Sequence, residues 1–104
     1  MDWREKLKVA FPGWDIENGS SQLSSSDARL GMCFEGKVIC RCEFGVWVDI
    51  DVGVPALLLL TRFLSSDVKL EGFIGYPDEG DLIQVKLTEL GPKGQIGLTQ
   101  ISNV

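Results

Sequence analysis

Three cysteines, Cys33, Cys40 and Cys42, and two groups of carboxylates are the side chains whose type and spacing could do chemistry unaided. A soft-metal site takes about four thiolate or imidazole ligands, and the chain has no histidine and no fourth cysteine. The lack of histidine also removes Ser-His-Asp and Cys-His nucleophiles and imidazole general bases. The C-x-C pair and the odd count therefore read as reduced, buried thiols of a cytoplasmic protein. Asp49 and Asp51 share one face near the end of an expected strand, the ordinary place for a solvated rim. Asp78-Glu79-Gly80-Asp81 is turn chemistry, without the spacing of a calcium loop. Neither a phosphate-cradling GxxxxGK[ST] loop nor a nucleophile elbow occurs. The expectation is a binding protein: no enzyme, no catalytic residue, no metal and no cofactor.

The elements that must position any binding residue come from one domain's worth of chain. With 104 residues and 44% hydrophobic side chains, one core is expected and wholesale disorder is not. Fifteen acidic against ten basic residues give a net charge of −5, which argues against a strongly basic nucleic-acid clamp. The longest apolar run, Ala56 to Leu60, is too short to span a bilayer. The N-terminus opens on Asp2, Arg4, Glu5, Lys6 and Lys8, with no apolar signal core. No membrane partner is expected.

Residues 2–11 carry a helical period. Asp2 can cap the first turn, Trp3, Leu7, Ala10 and Phe11 recur at spacings of three and four, and Pro12-Gly13 stops the helix. So short a helix is marginal alone, so its stripe should dock, on the rest of the chain or on a partner. From Gly13 to Arg29 the text is rich in serine and glycine and reads as a connector pinned in places by Trp14, Ile16 and Leu23. The division expected is 1–30, helix and polar connector, and 31–104, a compact domain.

From Leu30 onward the pattern is β. Val38, Cys40 and Cys42 alternate with Ile39, Arg41 and Glu43, and Val46, Val48 and Ile50 alternate with Trp47, Asp49 and Asp51. Ala56–Leu60 reads as a strand buried on both faces. Ser65-Ser66-Asp67 reads as a turn or a helix cap, Pro77–Asp81 and Gly91–Gly94 are turns, and Leu82–Leu90 and Ile96–Ile101 are further strands. Five short strands between Gly/Pro turns predict an all-β fold, a small barrel or sandwich. Val38, Val46, Val48, Leu58, Leu60, Val85, Leu87, Ile96 and Leu98 are the expected core.

Gly36-Lys37-Val38, followed in register by Phe44-Gly45-Val46-Trp47-Val48-Asp49, resembles the opening of the S-one domain, an RNA-binding repeat named after a small-subunit ribosomal protein. Ala56–Thr61, Gly80–Lys86 and Gly94–Thr99 stand where that family writes its third strand, its Gly-Asp strand and its closing strand. The resemblance covers about residues 34–100. It implies a five-stranded antiparallel OB-fold barrel, with the short N-terminal helix and linker added to it.

The resemblance further implies single-stranded RNA as partner, bound on the face of strands two and three in translation or RNA metabolism. Rings there stack on bases and nearby cations meet phosphates. Carried over by position, the stacking residues are Phe44 and Trp47. Phe44 suits the barrel core equally, whereas alternation against Val46 and Val48 leaves Trp47 exposed. Lys37, Arg41, Arg62 and Lys69 are the expected phosphate contacts, with Lys86 and Lys93 as further cations. These side chains either cluster on one face or scatter over a solvated surface. The chain departs from the family pattern at Leu59, where a histidine is usual, at Gln95 in place of an arginine, and at Arg41 in a usually apolar position. Residues 31–104 hold six basic and ten acidic side chains, 6 − 10 = −4, so few cations remain to release counterions. That predicts weak RNA binding. The alternative is an acidic protein-interaction module, an adaptor or immunity-type inhibitor of a basic partner, that kept the barrel and lost the RNA site.

Overall fold

A computed structural model of the chain describes residues 3–12, 29–64, 68–69, 71–91 and 95–102. The connector at 13–28 with Trp14, Ile16 and Leu23, the turn or helix cap expected at 65–67 and Lys93 lie outside the described residues.

Helix α1 spans Trp3–Ala10. It buries Trp3 and Leu7, while Phe11, just past its end, donates its N–H to the Leu7 carbonyl at 2.7 Å. The predicted stripe docks on the same chain, although Ala10 stays exposed. Five strands follow: β1 Cys33–Cys42, β2 Gly45–Asp49, β3 Ala56–Leu59, β4 Leu82–Leu90 and β5 Ile96–Gln100. They close into a barrel in the order β1-β2-β3-β5-β4. β1 is long enough to pair with β2 through its second half and with β4 through its first. The barrel is therefore the one the sequence predicts, with one correction. β3 and β5 run parallel, Ala56 beside Ile96 and Leu58 beside Leu98, so the pairing is mixed and not wholly antiparallel. An odd number of strands cannot alternate direction all the way round a closed ring, so one neighbouring pair must be parallel.

The interior is aliphatic. Val38, Val46, Val48, Ala56, Leu58, Val85, Leu87, Ile96 and Leu98 point inward, and Ile50, Val52, Val54 and Tyr76 extend the same cluster. Leu60 departs from expectation. It opens a 3-10 turn, Leu60–Arg62, at the end of β3 and is only half-buried. Nor is β3 buried on both faces, for Leu57 and Leu59 turn outward and are half-buried.

Two local devices bring β2 and β1 into place. Gly45 ends the tight β1–β2 turn against the backbone of Leu58 and Leu59, where any Cβ would meet the Leu58 carbonyl. Ile39 is an extra residue in β1: the register runs Val38–Val48 and then Cys40–Trp47. Such a bulge reverses which face the following residues take. Val38 therefore points into the barrel, while Cys40 and Cys42 join Trp47 in a separate cluster on its outside. The simple alternation expected for Val38, Cys40 and Cys42 fails here. All three are buried, but in two different places.

Candidate functional site

The outer face of β2, β3 and β5 carries a groove of about 460 Å³. Strand alternation aims Trp47, Leu57, Leu59 and Gly97 at it, and Phe44 enters from the β1–β2 turn. Arg62, from the turn after β3, meets Glu89 of β4 across the groove. A second bulge, at Thr88, shifts the β4–β5 register between Leu87 and Glu89 and sets Glu89 beside Gly97. A side chain at Gly97 would press on the Glu89 Cβ at 2.9 Å, so glycine there leaves Glu89 its path.

Arg62 is tied down. Its Nη1 donates to the hydroxyls of Thr88 at 3.1 Å and Thr99 at 3.2 Å, and its Nη2 to Glu89 Oε1 at 2.6 Å. Among the described residues it is the cation lining the groove. A phosphate there would share the guanidinium with a carboxylate, although Arg62 has donors to spare.

One end of the groove is aromatic and already occupied. Trp47 is only 5% exposed, against the exposed ring expected from alternation. It does face away from the barrel interior, but α1 lies over it. The Trp3 ring stacks on Trp47 with centroids 5.9 Å apart and planes 18° from parallel, and Phe44 meets both rings edge-on at 5.5 and 6.2 Å. The Arg4 guanidinium covers Trp3 at 4.6 Å. Beneath the helix the Cys40 thiol donates to the Trp3 carbonyl at 3.6 Å and the Cys42 thiol to the Gly45 carbonyl at 3.4 Å. Burial pushes the Cys42 thiol above its ordinary value, so it stays protonated at neutral pH. A pair of short hydrogen bonds, Lys6 Nζ to the two carboxylate oxygens of Glu79 at 2.7 and 2.8 Å, ties the helix to the turn before β4.

The six predicted site residues thus divide. Phe44, Trp47 and Arg62 converge on the groove. Lys37 is exposed on β1 beside Asp49, outside it. Arg41 follows the bulge, so it sits opposite inward-facing Val46. There it packs over the Phe73 ring at 5.1 Å and lies 3.6 Å from Asp78. Lys69 is exposed and its backbone bridges to Ile74. Leu59 and Gln95, two of the three departures from the family pattern, both line the groove. Leu57 and Glu89 escaped the sequence reading. The alternation of 56–60 could have exposed Leu57, but a bulge gives no local signal that would have found Glu89.

The carboxylate groups behave as turns. The Asp51 N–H donates to Asp49 Oδ1 at 2.8 Å, and the Asp78 N–H to Asp81 Oδ2 at 3.0 Å. Among the described residues no helix is long and apolar enough to cross a membrane.

No protein-family model matches the chain. Polyribonucleotide nucleotidyltransferase 1 of Alkaliphilus metalliredigens is 36% identical over 80 residues, 76% of this chain. The chain spans 11% of that relative's length. Among solved structures, an uncharacterized protein of Methanocaldococcus jannaschii superposes with a TM-score of 0.59 at 23% identity, over 75% of this chain and 99% of the other. Mycoplasma genitalium RNase R in complex with ribose methylated single-stranded RNA gives a TM-score of 0.57 at 20% identity, over 69% of this chain and 13% of that one. Both structural likenesses, at 23% and 20% identity, concern the fold alone.

Proposed function

This chain is an S-one-type OB-fold domain, and from that premise we propose that it binds single-stranded RNA on the outer face of β2, β3 and β5. The observation that carries the reading is the meeting of Phe44, Trp47 and Arg62 in one groove. Rings offer bases a stacking surface that tolerates any sequence, and the guanidinium offers a phosphate contact. Leu57 and Leu59 supply an apolar floor. Lys37, Arg41 and Lys69 stand outside the groove and would serve phosphates further along a bound strand. With Arg62 as the lining cation among the described residues, already engaged by Glu89, affinity is modest, roughly micromolar or weaker at physiological salt.

The domain acts as a binding module with no chemistry of its own. The transferase and nuclease activities in the names of the proteins it resembles belong to chains about five to seven times as long. We assign residues 1–30 to the helix and connector, 31–104 to the barrel domain, and the free thiols of Cys33, Cys40 and Cys42 to a reducing cytoplasm. The net charge of −5 favours a second reading, an acidic protein-interaction module.

Titration with a mixed-sequence single-stranded RNA at two salt concentrations tests the proposal. Phe44→Ala should lose about 1–3 kcal/mol of binding. Arg62→Met should weaken binding and flatten the logarithmic salt slope by about 0.7. No binding by the wild type at low salt would reject RNA in favour of the protein-interaction module.

A further inference from the structure

The ring that the barrel turns outward for stacking is stacked already, by Trp3 of the same chain. Trp3 lies on Trp47 at a centroid distance and near-parallel tilt that suit an offset-stacked aromatic pair. A nucleobase stacking on Trp47 from that side would need the volume Trp3 fills.

The helix that delivers Trp3 is an accessory of the barrel. All five strands find their neighbours among themselves, and α1 pairs with none. Among the described residues, the cluster under α1, Trp3, Leu7, Phe11, Cys40, Cys42 and Trp47, shares no buried residue with the barrel interior. At eight residues α1 is shorter than a helix that persists alone in water. Side-chain burial and the Lys6–Glu79 pair hold it down. Charge assists: Arg4, Lys6 and Lys8 against Glu5 give α1 a charge of 3 − 1 = +2, opposite in sign to the −4 of residues 31–104. Docked and undocked states can therefore exchange without opening the barrel.

We propose that α1 is a built-in competitor for the aromatic end of the groove: single-stranded RNA stacks on Trp47 only when Trp3 leaves it. This rests on the RNA-binding reading and adds its regulation. The apparent affinity is then the intrinsic one multiplied by the undocked fraction. Anything that loosens α1 tightens RNA binding.

The test uses the full chain and a fluorescein-labelled ten-nucleotide oligouridylate at fixed ionic strength, with Lys6→Glu, Glu79→Lys, the double exchange, and Leu7→Ala. Undocking is read independently from the rate at which N-ethylmaleimide labels Cys40 and Cys42, which α1 covers, with exposed Cys33 as internal standard. Lys6 and Glu79 are both partly exposed side chains, so their exchange leaves the barrel folded. Each single charge reversal should raise labelling and RNA affinity together, about three- to tenfold, and the double exchange should restore both. Leu7→Ala, which changes no charge, should raise both at least as much. Simple attraction to phosphate gives another pattern: Lys6→Glu weakens binding while Glu79→Lys tightens it. That result overturns the proposal. So does faster labelling with unchanged affinity, which leaves the RNA-binding reading standing. If neither the wild type nor any variant binds RNA although the thiols open, both readings fall together.

Discussion

The barrel interior and the cluster beneath α1 are both dry and apolar, yet they are closed by different means. Around the interior, hydrogen-bonded strands pair in a complete ring, and the enclosed side chains are mostly valine, leucine and isoleucine. Over the outer cluster lies one helix of eight residues, and the contacts are two tryptophans, phenylalanines and two thiols. Losing one interior contact weakens the whole ring. Losing one contact under α1 favours a local opening that leaves the ring intact. The interior and the candidate binding surface thus form two adjoining layers that share the strands β1 to β3 and little else.

The largest effect should come from Leu58→Ala, at the centre of β3 and 0% exposed. A loss of about 2–5 kcal/mol is expected, seen as one cooperative shift of the melting curve in far-UV circular dichroism. A barrel melting curve left unchanged by Leu58→Ala would contradict the assignment of stability to the interior.

A smaller global loss, about 1–2 kcal/mol, is expected for Trp3→Ala. Truncating a buried tryptophan ordinarily costs more, but α1 can undock and so limit the loss. Hydrogen exchange should show the amides of α1 unprotected and those of β4 and β5 nearly unchanged. Loss of protection throughout the barrel would mean that α1 is part of its core.

The smallest effect separates the layers by pH. Burial raises the Cys42 thiol under α1 and the Tyr76 phenol in the barrel cluster, whose hydroxyl donates to the Glu43 carbonyl at 3.1 Å. A raised acid folds in its neutral form. Its stabilisation is complete below the unfolded value and is lost as pH rises through the folded one. That loss begins near pH 9.0 for Cys42 and near 10.0 for Tyr76. In an alkaline titration, tryptophan fluorescence reporting α1 should change before the circular dichroism of the barrel. Simultaneous changes would contradict the order.

Much of this was legible beforehand because it depends on neighbours in sequence. The alternation of Val46 and Val48, the turn glycines and the stripe of Trp3, Leu7 and Phe11 each state locally which side is buried. The family pattern at Phe44–Asp49 and Gly80–Lys86 assembled those strands into the right barrel. Half of the candidate site was legible in the same way, since Phe44, Trp47 and Arg62 do meet, while Lys37, Arg41 and Lys69 scatter.

What sequence determined by itself is therefore the set of strands, the inward residues of β2, β4 and β5, and the existence of a helix that must dock. Only the tertiary structure decided where it docks, and with that the environment of Trp47. Alternation reports which side of a strand a residue takes, and Trp47 does take the outer side. It cannot report what a segment some forty residues distant lays over that side. The bulges at Ile39 and Thr88 belong to the same class, because a register shift is a property of two paired strands. They carried Cys40 and Cys42 out under the helix, turned Arg41 toward Phe73, and set Glu89 against Arg62. The sign of a face can be read along one chain segment, but its occupant is fixed by long-range packing.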